Sequence, residues 1–200
     1  LGCLSGAVPT VDELMQLVLY RELLELKFQR RLSLISAGTS AVLQLLLDGY
    51  LPPQINHFRV GEAILLGTNP VTGEVMKGLR GDVVTLEAEI VEIQEKGLVP
   101  TGETTDMTPF ADLGSEEEFE PGQRGYRAVV TLGHVDTEIG SLNPVERSHV
   151  IAGASSDLTV VNVGDEPGGL KVGDTIRFRP SYSAFVRLMS NVYTERRLWP

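Results

Sequence analysis

The spacing of apolar and polar positions changes its rule partway along the chain. Near the start, Thr10 with Glu13 three positions on forms a capping box. Behind it Leu14, Leu17, Val18, Leu24, Leu26 and Phe28 recur at steps of three and four among Glu22, Glu25, Lys27, Gln29, Arg30 and Arg31. This pattern predicts one amphipathic helix to about Arg31, with basic residues where the helix dipole favours them. An apolar strand at 32–35, a small-residue turn, and a short helix at 42–47 follow, stopped by Asp48-Gly49-Tyr50-Leu51-Pro52-Pro53. Residues 54–67 then read as a buried strand whose apolar run is interrupted by Arg59 and Glu62. Beyond residue 67 the helical period disappears. Residues 82–94 alternate apolar with acidic side chains at period two, 126–132 and 175–178 read likewise, and 148–163 holds two short apolar runs around 153–157. Strands succeed one another there with no room for crossover helices, so an antiparallel β-barrel or sandwich is expected from about residue 68.

Composition narrows this picture without changing it. The 200 residues carry a formal net charge of −10, which argues against nucleic acid or an anionic membrane as partner, since both attract basic surfaces. Cys3 is the single cysteine, so neither an intrachain disulfide nor a cysteine-based zinc cluster is expected, and no apolar segment has the length of a membrane span. The opening Leu1-Gly2-Cys3 has no initiator Met and no signal-peptide pattern. A cytoplasmic enzyme, and the remainder of a longer protein, is the expectation. Residues 100–122 hold Glu116-Glu117-Glu118 and Glu120 among Thr, Gly and Pro, which reads as a solvated loop and not as a metal site.

Two stretches carry candidate chemistry. Ser36-Ala37-Gly38-Thr39-Ser40-Ala41 joins a strand to a helix start, where a small-residue turn offers N–H groups to an anion. Arg59 lies before Val60-Gly61 at the next apolar stretch, where it either pairs with Glu62, caps a carbonyl, or faces a bound group. Two consecutive strand ends of this kind suggest a phosphorylated cofactor at the mouth of a β/α barrel.

Taken with Gly2-Cys3-x-Ser5-Gly6, Pro9-Thr10, Asn56-His57-Phe58-Arg59-Val60-Gly61-Glu62-Ala63-Ile64-Leu65-Leu66-Gly67, Leu132-Gly133-His134-Val135-Asp136, Gly153-Ala154-Ser155-Ser156-Asp157 and Pro180-Ser181-Tyr182, these segments resemble the alanine racemase family of fold type III pyridoxal-phosphate enzymes, in its ornithine racemase-like branch. The resemblance implies that residues 1–67 close a β/α barrel and 68–200 form the carboxy-terminal β domain, with the last residues returning to the barrel. It implies pyridoxal 5'-phosphate as cofactor, an amino acid of alanine or ornithine type as substrate, and a homodimer with shared active sites. The phosphate would be held by Ser40 with Thr39, by Gly61 and Glu62, and by Tyr182, while Arg59 would face the pyridine nitrogen. Without the resemblance, Ser40 would read as a helix cap and Tyr182 as a core aromatic.

His134 stands where alanine racemases place a catalytic Tyr. An imidazole, with an unperturbed pKa of about 6.5, is chemically able to act as the base on one face of the substrate Cα, or it shapes the pocket. Ser155, Ser156 and Asp157 match the segment that receives the substrate carboxylate, or form an Asp turn between strands. Asp157 or Asp136 would bind a distal ammonium. No lysine matches the family's cofactor-bonding position, because Lys27 lies on the amphipathic helix and Lys77, Lys96 and Lys171 flank turns or strands. The chain alone is therefore expected to be inactive. The alternatives are a non-catalytic ligand-binding or regulatory fragment and a fold type III amino-acid decarboxylase.

Overall fold

A computed structural model describes residues 6–99, 119–120 and 122–199. The Gly2-to-Ser5 stretch and the acidic run at 116–118 lie outside the described residues. Packing divides the chain into two compact units, Leu1–Val83 and Val84–Pro200, with residues 68–83 in the first.

In the first unit, helix α1 spans Val11–Phe28. The Thr10 hydroxyl accepts from the Glu13 N–H at 3.3 Å, and the Glu13 carboxylate accepts from the Thr10 N–H at 3.0 Å, so the expected capping box forms. The helix ends before Arg31 because Gln29 takes the left-handed conformation, φ 49°, and its side-chain amide donates back to the Leu26 carbonyl. Within α1 only Leu14 and Val18 are buried, Val18 in a small core with Ile35 and Ile55. A 3-10 turn, Ser40–Val42, leads into α2, Leu43–Leu47.

The two strands expected at 32–35 and 54–67 are reduced to one parallel bridge, Ser36 to His57, with flanking bonds from Ala37 N–H to the His57 carbonyl and from His57 N–H to the Ile35 carbonyl. Asn56 explains the truncation. Its side chain accepts from the Ile35 N–H at 2.9 Å and donates to the Ser33 carbonyl at 2.8 Å, occupying the backbone groups a longer ladder would have used. After Gly61 the apolar run coils into helix α3, Glu62–Leu66. Gly67 ends it in the left-handed region, φ 72°, and a Cβ there would sit 2.1 Å from the Arg80 carbonyl oxygen, so two independent constraints require glycine.

The second unit is a nearly closed antiparallel six-stranded barrel with strand order β3-β6-β1-β2-β5-β4. Its strands are β1 Leu86–Gly97, β2 Arg124–Val130, β3 Leu142–Pro144, β4 Val150–Ala154, β5 Thr159–Gly164 and β6 Thr175–Pro180. The alternating segments of the sequence become β1, β2, β4, β5 and β6. The short β3 and helix α4, Tyr182–Ser190, carry no comparable alternation. Strand β1 serves two neighbours. Residues 86–89 pair with β6 and residues 90–97 with β2, and a bulge at Val91 shifts the register within the β1–β2 pairing. Leu86, Ala88 and Ile90 face the core before the bulge and Ile93 faces it afterwards, because one extra residue reverses the parity of a pleated strand. Ile90, Ala128, Val130, Ile139, Val161 and Phe178 are fully buried, and Ala184 of α4 joins them. Among the described residues no helix is long and apolar enough to cross a membrane.

Phe178 pairs with Leu86 in register and has no solvent exposure. Phe178→Ala should cost about 3–5 kcal/mol, read as a fall in the denaturant midpoint without a change of slope.

Candidate active site

The site residues expected from the sequence fall into one group in the first unit and two in the second. In the first, the turn at 36–41 lies beside 57–63, tied by the Arg59 N–H to the Gly38 carbonyl at 2.8 Å. Gly38 permits this closeness, since a Cβ would meet the Phe58 ring at 2.8 Å and Val42 at 3.2 Å. The Thr39 hydroxyl caps the 3-10 turn by accepting from the Ala41 N–H at 3.3 Å. Ser40 is buried, and its hydroxyl oxygen accepts from the Ala63 N–H at 3.1 Å, joining the start of the 3-10 turn to the first turn of α3. The hydroxyl keeps its own proton to donate. Gly61 opens α3, its carbonyl accepting from the Ile64 and Leu65 N–H groups. The Glu62 carboxylate accepts from the Thr68 hydroxyl at 2.9 Å. Arg59 is exposed, and among the described residues no ion pair forms to it. The bland reading of Arg59 as a partner of Glu62 is thereby set aside. A guanidinium, a hydroxyl proton and the start of a helix within one cluster are the donors a phosphate monoester and an aromatic nitrogen call for, so the group fits pyridoxal phosphate chemically.

In the second unit, residues 133–136 and 155–157 form a double clamp. His134 N–H donates to the Ser155 carbonyl at 3.1 Å and Val135 N–H to the Ser156 carbonyl at 3.0 Å. Gly133 makes the approach possible. A Cβ on it would lie 2.1 Å from the Ser156 oxygen and 2.4 Å from the Asp157 nitrogen. Upstream, buried Thr159 donates its hydroxyl to the Leu132 carbonyl at 2.6 Å; downstream, buried Thr137 donates to the Ala184 carbonyl at 3.0 Å. The backbone carrying His134 is therefore held from both sides, with the imidazole half-buried.

Ser155, Ser156 and Asp157 also make the turn that joins β4 to β5. The Ser155 hydroxyl accepts from the Leu158 N–H at 3.2 Å, and the Ser156 hydroxyl donates to Asp157 at 2.7 Å. The Asp157 carboxylate is exposed, whereas both oxygens of Asp136 are engaged, one by the Gly133 N–H and one by the Asn191 side chain, each at 3.0 Å. Tyr182 stands apart as the first residue of α4 and is 39% exposed, so it is not a core aromatic. A depression of about 470 Å³ borders His134 and Asp136, with Arg187, Asn191 and Tyr193 on its α4 side. Sequence reasoning did not single out Thr137, Arg187 or Asn191. The spacing of Ala184 and Leu188, one helical turn apart, was the available signal for α4.

No protein-family model matches the chain. It is 36% identical over 198 residues to an ornithine racemase of Acetoanaerobium sticklandii, a match covering 99% of this chain and 55% of that protein. A lysine racemase of Thermotoga maritima is 33% identical over 195 residues, covering 98% and 54%. The fold resembles the alanine racemase of Bartonella henselae, solved with covalently bound pyridoxal phosphate, with a TM-score of 0.54 at 16% identity over 92% of this chain and 48% of that one. Over nearly its whole length the chain is thus similar to two amino-acid racemases, and its fold is that of alanine racemases. It spans about half the length of the curated relatives it matches. The antiparallel unit is consistent with the fold of the carboxy-terminal β domain of alanine racemases.

Gly133→Ala tests whether the close approach governs the site. The added methyl must displace the 155–157 backbone, so amide protection across 133–136 and 155–157 should collapse and thermal stability should fall, with a cost of about 1–3 kcal/mol or more.

Proposed function

We propose that this chain supplies the carboxy-terminal part of the active site of a pyridoxal-phosphate-dependent amino-acid racemase acting on a diamino acid of the ornithine or lysine kind. The observation that carries the reading is the double clamp, which sets the backbone of half-buried His134 against the turn whose counterpart, by the family resemblance, receives the substrate carboxylate. The names of the two relatives, an ornithine and a lysine racemase, support a substrate with a distal ammonium.

In this reading Ser40, the backbone of Gly61 and Glu62, and the Tyr182 hydroxyl bind the phosphate, with Thr39 shaping the turn. Pyridoxal phosphate, when bound, supplies the electron sink that makes the substrate Cα–H acidic. Arg59 faces the ring nitrogen, and a guanidinium that cannot give up its proton keeps that nitrogen unprotonated. His134 takes a proton from Cα on one face or returns one to it. The backbone at 155–157 orients the substrate carboxylate, and the exposed Asp157 carboxylate takes the distal ammonium, Asp136 being fully engaged. The proton-transfer partner for the opposite face, and the two-fold assembly in which the β domain of one subunit completes the barrel site of the other, follow from the family resemblance.

Racemisation needs proton transfer on both faces, which gives His134 a distinctive signature. In the full-length enzyme with His134→Ala, solvent deuterium should still enter Cα with retention from one enantiomer, while interconversion falls by about 10²-fold or more. Wild-type interconversion in that variant would reduce His134 to a pocket wall.

Shared sites predict a complementation. Ser40→Glu removes the phosphate site of one subunit and Asp157→Ala the substrate site of another, so mixed dimers should recover about one working site in two. Well-folded mixed dimers with no recovery would place each site within a single subunit.

A further inference from the structure

Asn191 has no place in the reading above, yet the His134 turn closes on it. It caps α4, its N–H donating to the Arg187 carbonyl at 2.9 Å, and its side-chain oxygen accepts from the Tyr193 N–H at 2.9 Å. Its own carbonyl accepts from Arg196, whose guanidinium also holds the Met189 carbonyl at 2.8 Å. Every one of these contacts stays within the end of α4 and the segment after it. The side-chain N–H alone leaves, donating to Asp136 at 3.0 Å. The amide cannot be turned over, because a flip would set its oxygen against the Asp136 carboxylate and its nitrogen against the Tyr193 N–H.

Asp136 in turn accepts from the Gly133 N–H at 3.0 Å, and its own N–H donates to the Gly133 carbonyl at 3.0 Å. Gly133 is the residue pressed against the 155–157 turn, and His134 follows it. Helix end, amide, carboxylate and glycine thus form one unbroken chain of hydrogen bonds ending at the backbone of the candidate base. Thr137 adds a second tie from the same loop to α4. The depression beside His134 has Asp136 and Asn191 in its wall, so the pair also bounds the space next to the imidazole.

We infer that Asn191 is a positioning residue for His134, acting through Asp136, and that Asp136 is retained for this purpose and not for binding a distal ammonium. The meaning of His134 rests on the racemase reading; the clamp rests on geometry alone. A reciprocal exchange separates the two. Asn191→Asp sets two carboxylates against each other. Adding Asp136→Asn restores the set in reverse, since Asn at 136 still accepts from Gly133 and now donates to Asp at 191, whose other oxygen accepts from Tyr193.

In the full-length protein, Asn191→Asp should speed amide hydrogen exchange at 133–136 by about tenfold or more, the scale of one lost hydrogen bond to a charged group. It should also raise the ratio of deuterium entry with retention to interconversion by a similar factor, with KM little changed, and the double exchange should return both towards wild type. A structural defect elsewhere would lower the folded fraction and leave the ratio unmoved. Wild-type amide exchange with a wild-type ratio in Asn191→Asp would overturn the inference, as would a double exchange no better than the single. Failure of the racemase reading would show differently, as His134→Ala leaving the ratio unchanged while amide protection still followed the exchange.

Discussion

The approach of residues 155–157 onto Gly133 is the constraint on which the second unit's site depends. A backbone oxygen lies where any other residue would carry its Cβ, so the two turns meet only because one has no side chain. Once they meet, peptide groups do the rest. His134 and Val135 spend their N–H groups on the facing carbonyls, and the neighbouring hydroxyls of Thr159 and Thr137 fix the loop at either end. Main-chain bonds of this kind fix where the His134 side chain is rooted and leave its torsions to be set by packing and further hydrogen bonds.

The first unit solves a related problem with different means. There a side chain, Asn56, stands in for the ladder, and Ser40 joins two turns that have no sheet between them. The consequence is a cluster in which the donors are tethered to one another while the Arg59 guanidinium is exposed. An exposed cation with its nearest expected carboxylate engaged elsewhere is electrostatically prepared for an external group.

What the sequence made readable followed the strength of its periodic signals. The capping box at Thr10 and the alternation in β1 each rest on local chemistry that tertiary context does not override. The misreading of 54–67 has a physical source. A short apolar run looks the same whether it extends or coils, and only the three-dimensional placement of Asn56 and Gly61 decides. The Asn191 bond to Asp136, 55 positions away in the chain, was invisible because nothing local marks such a pairing. Asp136 reads from the sequence as a candidate ligand for substrate, and only the fold shows that Gly133 and Asn191 reach its two oxygens.

The bulge at Val91 gives β1 two reading frames. Even-numbered side chains are written inward up to Ile90, and Ile93 opens the second frame on the odd positions. Ironing out the bulge with Val91 retained would not shorten the strand so much as turn its second half inside out, sending Ile93 to solvent and drawing charged neighbours such as Glu92 towards the core. Tolerance of substitution along this strand is therefore a matter of parity as well as polarity, and the sense of that parity reverses at a single residue.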